Sequence, residues 1–297
     1  MNSTDASGKV ISLSRKIGEK RGQRHRELPP KRPSRTKIVA ITSGKGGVGK
    51  TNIVANLGII LSRMGKKILI FDADLGLGNL DILLGLAPRY NFSHVILGEK
   101  TISEILVQGP ENILILPASS GIQELTQLNG GQTDKIVADL DSLIDPIDIL
   151  LIDTAAGISS NVMYFNANAH EIMVVVSPEP TSITDAYALM KVLSMKYASK
   201  RFKLLVNMAN DVHEAHEVFR QLSLVADRFL DISLEYMGHV FFDLNVTKGV
   251  KLQKAVSELY PHTRASKCLQ PIAEKLCQLP APENPQGSSL IFWRNPR

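Results

Sequence analysis

The chain has little of what disulfide-stabilised or membrane-spanning proteins require. Among its 297 residues are two cysteines, Cys268 and Cys277, and one tryptophan. Two cysteines without metal-type companions predict no disulfide framework and favour a reducing compartment. No run of 18 or more apolar residues occurs, so no transmembrane helix is expected. The start of the chain lacks the apolar segment of a signal peptide.

Positive charge is concentrated at one end of the chain. Residues 1–37 contain eleven Lys or Arg and three Asp or Glu, a net +8 against +5 for the whole chain, so the remainder is slightly acidic. Prolines close this segment as a linker, and residues 1–36 are predicted to be a basic flexible arm. Val10, Leu13 and Ile17 fall at helical spacing. A basic amphipathic helix on a partner or an anionic membrane, and a solvated disordered tail, are both open.

A glycine-rich stretch between a predicted strand and a predicted helix is the strongest motif. Residues Gly44 to Thr51, Gly-Lys-Gly-Gly-Val-Gly-Lys-Thr, fit the phosphate-loop pattern G-x-x-x-x-G-K-[ST]. The apolar run Lys37–Thr42 precedes the motif as a strand, and Thr51–Leu61 follows it as a helix. Strand, loop and helix in this order are the context that the motif needs. The sequence therefore predicts a nucleotide phosphate site.

The residue types of this loop predict how it holds phosphate. Glycines let the backbone curl so that N–H groups face phosphate oxygens, and the helix N-terminus adds its positive dipole end. Lys50 is expected to reach the β- and γ-phosphates, and the Thr51 hydroxyl to bind Mg²⁺. A second lysine, Lys45, is not explained by the pattern. The predicted nucleotide contacts in this segment are Gly44, Lys45, Gly46, Gly47, Val48, Gly49, Lys50, Thr51 and Asn52.

Apolar runs of strand length alternate with segments of helical spacing from residue 37 onward. This alternation is typical of βαβ units and predicts an α/β fold of the P-loop NTPase type, a mostly parallel twisted sheet of about seven or eight strands with helices on both faces. Glu179-Pro-Thr-Ser predicts a helix start with Thr181 or Ser182 as cap. The predicted strands are Ile38–Ile41, Ile68–Phe71, Ile113–Leu116, Ile149–Ile152, Ile172–Val176, Leu204–Val206 and Met237–Phe241.

Carboxylates follow two of the predicted strands. Asp72 and Asp74 end the second run, and Asp153 ends the fourth. The carboxyl ends of parallel strands lie at one edge of the sheet, together with the phosphate loop. Asp153 is typical of a Walker-B acid that coordinates Mg²⁺ through water and orients Thr51. Asp74 is the candidate for placing the attacking water, and Asp72 is predicted to lie behind the metal or to be structural. The Gly157 N–H can approach the γ-phosphate.

The loop Lys45-Gly-Gly-Val-Gly-Lys-Thr51 resembles the deviant Walker A motif of the MinD/ParA ATPases. The resemblance covers about residues 37–278. Three runs, Asp72–Leu86, Asp153–Ile158 and Glu179–Leu189, are similar to the flagellar branch called FlhG, FleN or YlxH. The resemblance implies a bacterial cytoplasmic ATPase that uses ATP, ADP and Mg²⁺ and limits the number and sets the placement of flagella.

The resemblance also implies roles for particular residues. In this family the extra lysine, here Lys45, reaches across a dimer to the partner's nucleotide, and the acid at Asp74 supports hydrolysis. The family's adenine contacts carry over to Asn207 and Asp243, although Asn207 fits a helix cap equally well and Phe241 stands where relatives often carry Pro. The predicted catalytic residues are Lys45, Lys50 and Asp74, and the predicted metal residues are Thr51, Asp72 and Asp153.

The partners that the resemblance implies are a second copy of the chain in the ATP state, an FlhF-type signal-recognition GTPase, and a flagellar transcription activator or basal-body components. DNA is not expected as a partner. The Asp-Gln-Ala activator motif of some relatives is missing from residues 1–36. A MinD- or ParA-like ATPase that positions the division site or segregates DNA is the alternative. A nucleotide-dependent metal-cluster carrier would need paired cysteines that the chain lacks.

The C-terminal residues 280–297 form a Pro/Gly/Ser-rich linker and a short apolar tail, Leu290–Trp293, beside arginines. Docking of this tail on a membrane, docking on the protein body, and disorder are all open. Peripheral contact at the inner face of the membrane or at the cell pole therefore stands beside the cytoplasmic expectation. The globular ATPase domain is predicted to span residues 37–279.

Overall fold

A mixed but mostly parallel sheet runs through the molecule in the computed structural model, which describes residues 36–74, 78–118 and 147–280. Its eight strands lie in the order β3-β4-β2-β5-β1-β6-β7-β8. Every neighbouring pair is parallel except β3 with β4. The predicted fold class is confirmed. The strands are β1 Lys37–Ser43, β2 Ile68–Ala73, β3 Val107–Gln108, β4 Leu114–Leu116, β5 Ile149–Ala156, β6 Glu171–Val176, β7 Arg201–Ala209 and β8 Ser233–Phe241.

Helices connect the strands and cover both faces of the sheet. Because a parallel strand must return to the same end of the sheet, the crossovers from β1 to β2, β5 to β6, β6 to β7 and β7 to β8 each carry the chain back along a helix. The helices of the described ranges are α1 Lys50–Arg63, α2 Leu80–Leu83, α3 Phe92–Ile96, α4 Ile102–Ile105, α5 Ser160–Asn168, α6 Pro180–Tyr197, α7 Val212–Phe229, α8 Leu244–Lys251, α9 Val256–Leu259 and α10 Arg264–Gln278.

Side chains of the central strands alternate between two hydrophobic layers. In β1, Val39 and Ile41 join the layer under α1 and α10, whereas Ile38 joins the opposite layer with Phe165 of α5. Successive strand residues point to opposite faces, so a strand buried on both sides must be apolar throughout. All seven residues of β1 are buried. This explains why the central strands are continuous apolar runs in the sequence.

The topology places the phosphate loop at the centre of the sheet. The loop leaves the carboxyl end of β1, which lies between β5 and β6. The order of strands reverses at this point, and the crevice outside such a switch point is where α/β proteins bind ligands. The loops after β2, β5, β6 and β7 therefore converge on the same edge as residues 44–49.

Some sequence predictions differ from the structure. The two-residue strand β3 was not predicted, because an antiparallel strand of that length has no readable periodicity. The prediction that Thr181 or Ser182 caps a helix was wrong. The N-cap of α6 is Glu179, and the Ser182 hydroxyl instead accepts a hydrogen bond from the Ser177 N–H at 3.0 Å.

Several predictions fall on residues outside the described ranges: the basic arm, residues 75–77 of the first switch loop, and the tail that includes Leu290–Trp293. The domain boundaries at residues 36 and 280 stay predictions. Within the described ranges, no helix combines the length and the apolar character that crossing a bilayer would require.

Candidate functional site

The phosphate loop turns in a way that requires glycine at two positions. Gly47 and Gly49 have φ angles of 80° and 83°, in the left-handed region that residues with a Cβ rarely adopt. Gly49 is also crowded, because a Cβ there would lie 2.4 Å from the side-chain nitrogen of Asn207. Gly46 and Gly47 instead face open space, with nothing within 4 Å of an added Cβ. The loop therefore leaves room on the side where a phosphate would lie.

Gly44, the first glycine of the motif, is needed for helix packing. A Cβ at Gly44 would lie 2.2 Å from the backbone carbonyl carbon of Asp185 in α6. No side chain can fit at such a distance from a backbone atom, so glycine lets α6 approach the loop closely. The loop and the N-terminal half of α6 are thus packed as one unit.

Lys50 forms an ion pair in the interior of the molecule. Its Nζ lies 2.6 Å from Oδ1 of Asp153, and the two side chains are 9% and 1% exposed. Lys50 begins α1 and Asp153 lies in β5, so the pair joins the phosphate loop to the neighbouring strand. Breaking a buried pair by removing one partner leaves an uncompensated charge, which is strongly destabilising. A nucleotide phosphate and a cation together could replace each member's present partner.

Asp72 lies beside Asp153 in the next strand. The two residues are in register across the parallel pair β2 and β5. Burial, and then the charge of Asp153, raises the pKa of Asp72 to about 7, although N–H groups of Leu80 and Asp74 partly offset the rise. The Leu80 N–H is 3.2 Å from Oδ2, and the Asp74 N–H is 3.2 Å from Oδ1. Asp72 thus holds the start of the loop after β2 in place.

These side chains fit a magnesium–nucleotide complex. Mg²⁺ is usually held by one or two carboxylates together with hydroxyl, phosphate and water oxygens. Thr51 follows Lys50 in the first turn of α1, and Asp153 and Asp72 stand on adjacent strands. The residues that would hold the ion are Thr51 and Asp153, with Asp72 behind them. Bound there, Mg²⁺ would neutralise phosphate charge.

Lys45 is held by a different part of the chain. Its Nζ forms an ion pair with the Glu179 carboxylate and donates a hydrogen bond to Thr181 Oγ1 at 2.9 Å. The side chains of Lys45 and Glu179 are 35% and 61% exposed, so this pair lies at the surface. Exposed pairs contribute little to stability and exchange partners at small cost.

Asn207 contacts the phosphate loop from the end of β7. Its side-chain N–H donates to the Val48 carbonyl at 2.7 Å, and the residue is 6% exposed. The alternative that Asn207 caps a helix is not what the structure shows, because its amide is directed to the loop and the N-cap of α7 is Asp211. The predicted adenine contact of Asn207 stays a prediction.

Asp243 has a structural role in this conformation. It is the N-cap of α8, where Oδ1 accepts from the Asn245 N–H at 2.9 Å, and its Oδ2 accepts from the Ala265 N–H of α10 at 3.2 Å. Burial alone would raise the pKa of Asp243, but these hydrogen bonds hold it below its ordinary value. An adenine contact through this carboxylate would compete with both helix contacts, so the loop backbone is the better candidate.

The structure does not test the predicted roles of Gly157 and Asp74. The Gly157 N–H donates to the Ser43 carbonyl at 2.9 Å, so contact with a γ-phosphate requires that bond to be exchanged. Asp74 follows β2 directly, at the beginning of the loop whose residues 75–77 are not described. The assignments of Gly157 and Asp74 stay predictions.

Sequence reasoning missed Glu179 and Thr181 as partners of Lys45. The residues are 134 and 136 positions away from it, and nothing local to the phosphate loop points to them. The available signal was topological. Because β6 neighbours β1, the segment after β6 had to lie beside the loop, and Glu179 is its acidic residue.

Three features define a P-loop nucleotide-binding protein. They are a phosphate loop at the switch point of a parallel sheet, a buried lysine–carboxylate pair behind the loop, and hydroxyl and carboxylate oxygens that suit a cation. Comparison with known proteins narrows this class. Residues 36–206 match the family described as AAA domain.

Two relatives and one solved structure are similar over most of the chain. The antiactivator FleN of Pseudomonas aeruginosa is 42% identical over 86% of this chain and 91% of its own. The flagellum site-determining protein YlxH of Helicobacter pylori is 33% identical over 80% of this chain and 81% of its own. The MinD cell division protein of Aquifex aeolicus superposes with a TM-score of 0.64 at 27% identity, covering 83% of this chain and 98% of its own. The chain belongs to the MinD/ParA-type ATPase family, in its FlhG/FleN branch.

Proposed function

We propose that this protein is an ATP-dependent switch that dimerises with ATP and Mg²⁺, hydrolyses ATP slowly, and regulates the number and placement of bacterial flagella. In this cycle the apo or ADP form is a monomer. ATP binding brings two copies together through their phosphate loops, and hydrolysis returns them to monomers. Partner proteins recognise the dimer and accelerate hydrolysis.

The observation that carries the proposal is the pair of lysines in one phosphate loop. Lys50 is buried with Asp153 of its own chain, and the proposal assigns it to the nucleotide of that chain. Lys45 is at the surface, in a replaceable contact with Glu179 and Thr181. A second anionic group that approached this surface, such as the nucleotide of a facing copy, could replace Glu179 as the partner of the Lys45 ammonium group. The buried lysine suits binding, and the exposed one suits completion of a partner's site.

The hydrolytic step then uses groups of both chains. Lys50 and the loop N–H groups neutralise the β- and γ-phosphates, and Asp74 orients the attacking water in the loop after β2. Lys45 of the facing copy would stabilise the charge that develops in the transition state, as positioned cations do in phosphoryl transfer. The rate is therefore low in a monomer.

The flagellar role is supported by the names of the relatives FleN and YlxH, which are an antiactivator and a flagellum site-determining protein. The partners that fit this role are an FlhF-type GTPase and a flagellar transcription activator or basal-body components. The location that fits is the cytoplasm, with peripheral contact at the membrane or the cell pole. A MinD-like division-site function is the second candidate, favoured by the likeness to the Aquifex MinD structure.

Flagellar counting distinguishes these two functions. Deletion of the gene in its own host should increase the number of flagella per cell in electron micrographs, and the Lys45→Ala chain should fail to restore the wild-type count. A wild-type chain expressed at the same level is the control. An unchanged flagellar count together with misplaced division septa would reject the flagellar role and favour the division-site function.

A further inference from the structure

A groove with a cavity volume of about 450 Å³ lies between the last strand, β8, and helix α10. We call it the β8–α10 groove. Its base is formed by half-buried rings of β8, those of Tyr236, His239 and Phe241, and its other wall by Pro271 and Ile272 of α10. The rings are packed together, since His239 and Phe241 have centroids 4.7 Å apart. The groove is therefore apolar and aromatic inside.

The rim of the groove is positively charged. Arg264, Lys267 and Lys275 line it and are exposed, and no Asp or Glu is among the described residues that line it. The Arg264 guanidinium lies 4.3 Å from the centroid of the Phe241 ring, which places a cation directly over the aromatic base. An apolar groove with a rim of one charge sign favours a ligand that is apolar and carries the opposite charge.

The groove also runs beside a sheet edge. In the described sheet β8 is the terminal strand and pairs with β7 on one side. The Lys275 Nζ lies 3.1 Å from the Met237 carbonyl oxygen and 3.4 Å from that of Tyr236. These two carbonyls already accept hydrogen bonds from Lys275, so a peptide N–H would reach them once an acidic group has drawn the ammonium group away. A lysine at a sheet edge disfavours nonspecific pairing of the edge strand with other strands. An extended peptide of complementary sequence can nevertheless add to such an edge as a further strand.

We propose that the β8–α10 groove binds an extended acidic peptide segment of a partner protein, with one aromatic or aliphatic side chain inserted among the rings of β8. The acidic groups of the peptide would pair with Lys267 and Lys275. Its backbone would lie along the outer edge of β8. This site is separate from the phosphate loop and does not depend on the proposed flagellar function.

The chain's own tail suits the groove less well. The apolar residues Leu290–Trp293 are followed by Arg294 and Arg297. These arginines would meet a rim that is already cationic, and like charges at close range oppose binding. An anionic membrane would satisfy the rim charges, but a flat bilayer surface leaves the concave aromatic base unfilled, whereas a peptide side chain fills it.

Fluorescence anisotropy with the full-length protein tests the proposal. The probe is a fluorescein-labelled peptide, Asp-Glu-Phe-Asp-Phe-Glu, and its companion carries Lys in place of each acidic residue. The acidic peptide should bind and the basic one should not. The double variant Lys267→Glu and Lys275→Glu should weaken binding by ~10-fold or more, because attraction becomes repulsion at both positions. The matched control is Lys191→Glu with Lys196→Glu on α6, which makes the same change in net charge elsewhere.

Because Lys275 also contacts β8 carbonyls, Lys267→Glu alone is measured as well, and about a threefold loss is expected. Failure of the acidic peptide to bind, or equal binding by groove and control variants, would overturn the proposal. So would a shift in Trp293 emission caused by the Lys267→Glu substitution alone, because that would indicate that the tail occupies the groove. Charge-dependent binding to phosphatidylglycerol vesicles with no peptide binding would assign the rim to a membrane.

Discussion

The two lysines of the phosphate loop lie five positions apart and have opposite surroundings. Lys50 is 9% exposed and paired with a carboxylate that is 1% exposed, whereas Lys45 is 35% exposed and paired with one that is 61% exposed. Burial makes each member of the first pair dependent on the other, whereas exposure to solvent makes the second pair replaceable. In the proposed cycle, the buried lysine binds the nucleotide of its own chain and the exposed lysine changes partners to reach the nucleotide of a second copy.

The difference follows from where each lysine stands relative to the sheet. Lys50 begins α1 directly behind β1 and faces the carboxyl end of β5, where Asp153 is buried. Lys45 comes earlier in the loop, beside the N-terminus of α6, and Gly44 lets that helix approach. The same glycine-rich turn thus produces one inner and one outer lysine. Variants of each position can separate the two roles.

Removal of the inner lysine should have the largest effect. Lys50→Ala is expected to weaken ATP binding at least ~100-fold, because it removes a charge-assisted contact with phosphate worth about 3 kcal/mol. Titration with a fluorescent ATP analogue measures the change. The melting temperature of the apo variant should be recorded too, since Asp153 loses its partner. ATP affinity within a few-fold of wild type in a folded variant would contradict the assignment.

Removal of the outer lysine should spare ATP binding and strongly reduce turnover. Lys45→Ala is expected to keep ATP affinity within about threefold and to lower the hydrolysis rate ~100-fold, the effect of losing one positioned cation at the transition state. Steady-state phosphate release measures the rate, and the same nucleotide titration measures binding. Wild-type turnover in Lys45→Ala would reject a role for this lysine in catalysis between copies.

The free energy of unfolding should depend on pH through the buried carboxyl group of Asp72. Its pKa is about 7 in the folded protein against an ordinary 3.8, so the folded state binds an extra proton between these pH values. The contribution of Asp72 to the stability of the fold is therefore complete below about pH 3.8 and decreases as pH rises toward 7. Asp72→Asn should remove that dependence, a change on the order of 1–3 kcal/mol across the window.

Urea unfolding of wild type and Asp72→Asn at several pH values measures this difference directly. Asp227→Asn, an exposed acid on α7, is the matched control and should follow the wild-type curve. Parallel stability curves for wild type and Asp72→Asn would show that Asp72 ionises in the folded state at its ordinary pKa.

The smallest effect is expected when the exposed ion pair between Lys45 and Glu179 is broken. Glu179→Gln removes the charge that holds Lys45, so ATP-dependent association of two copies should become about two- to fivefold stronger, in the range of an exposed ion pair. Glu217→Gln, which breaks the exposed pair with Arg220, is the control and should leave association unchanged. Weaker association in Glu179→Gln would mean that Glu179 itself contacts the second copy.

The sequence predicted the surroundings of Lys50 better than those of Lys45, for physical reasons. The fold of residues 44–51 depends on local glycine geometry and on the flanking apolar strand and helix, which are visible in a short window. Asp153 was identifiable because the apolar run Ile149–Ile152 ends in an acid in the sequence, although β5 itself continues to Ala156. The partners of Lys45 were not, because contact between residues 45 and 179 depends on how β6 is placed beside β1.

The end of the sheet near β8 shows the same limit. The predicted base contact of Asp243 stays a prediction, and the sequence did not indicate that its carboxylate also joins α8 to α10. Strand end followed by an acid is the pattern of both a ligand contact and a helix cap, and only the packing of α10 separates the two. The β8–α10 groove was likewise invisible, because its members come from residues 236–241 and 264–275.

The central claim is that ATP joins two copies through Lys45. Light scattering coupled to size exclusion tests it on the Asp74→Ala protein, which should bind ATP without hydrolysing it. With ADP the protein should elute as a monomer, and with ATP and Mg²⁺ as a dimer. The Lys45→Ala and Asp74→Ala double variant should remain a monomer in both. A monomer for Asp74→Ala with ATP, or a dimer for the double variant, would contradict the account.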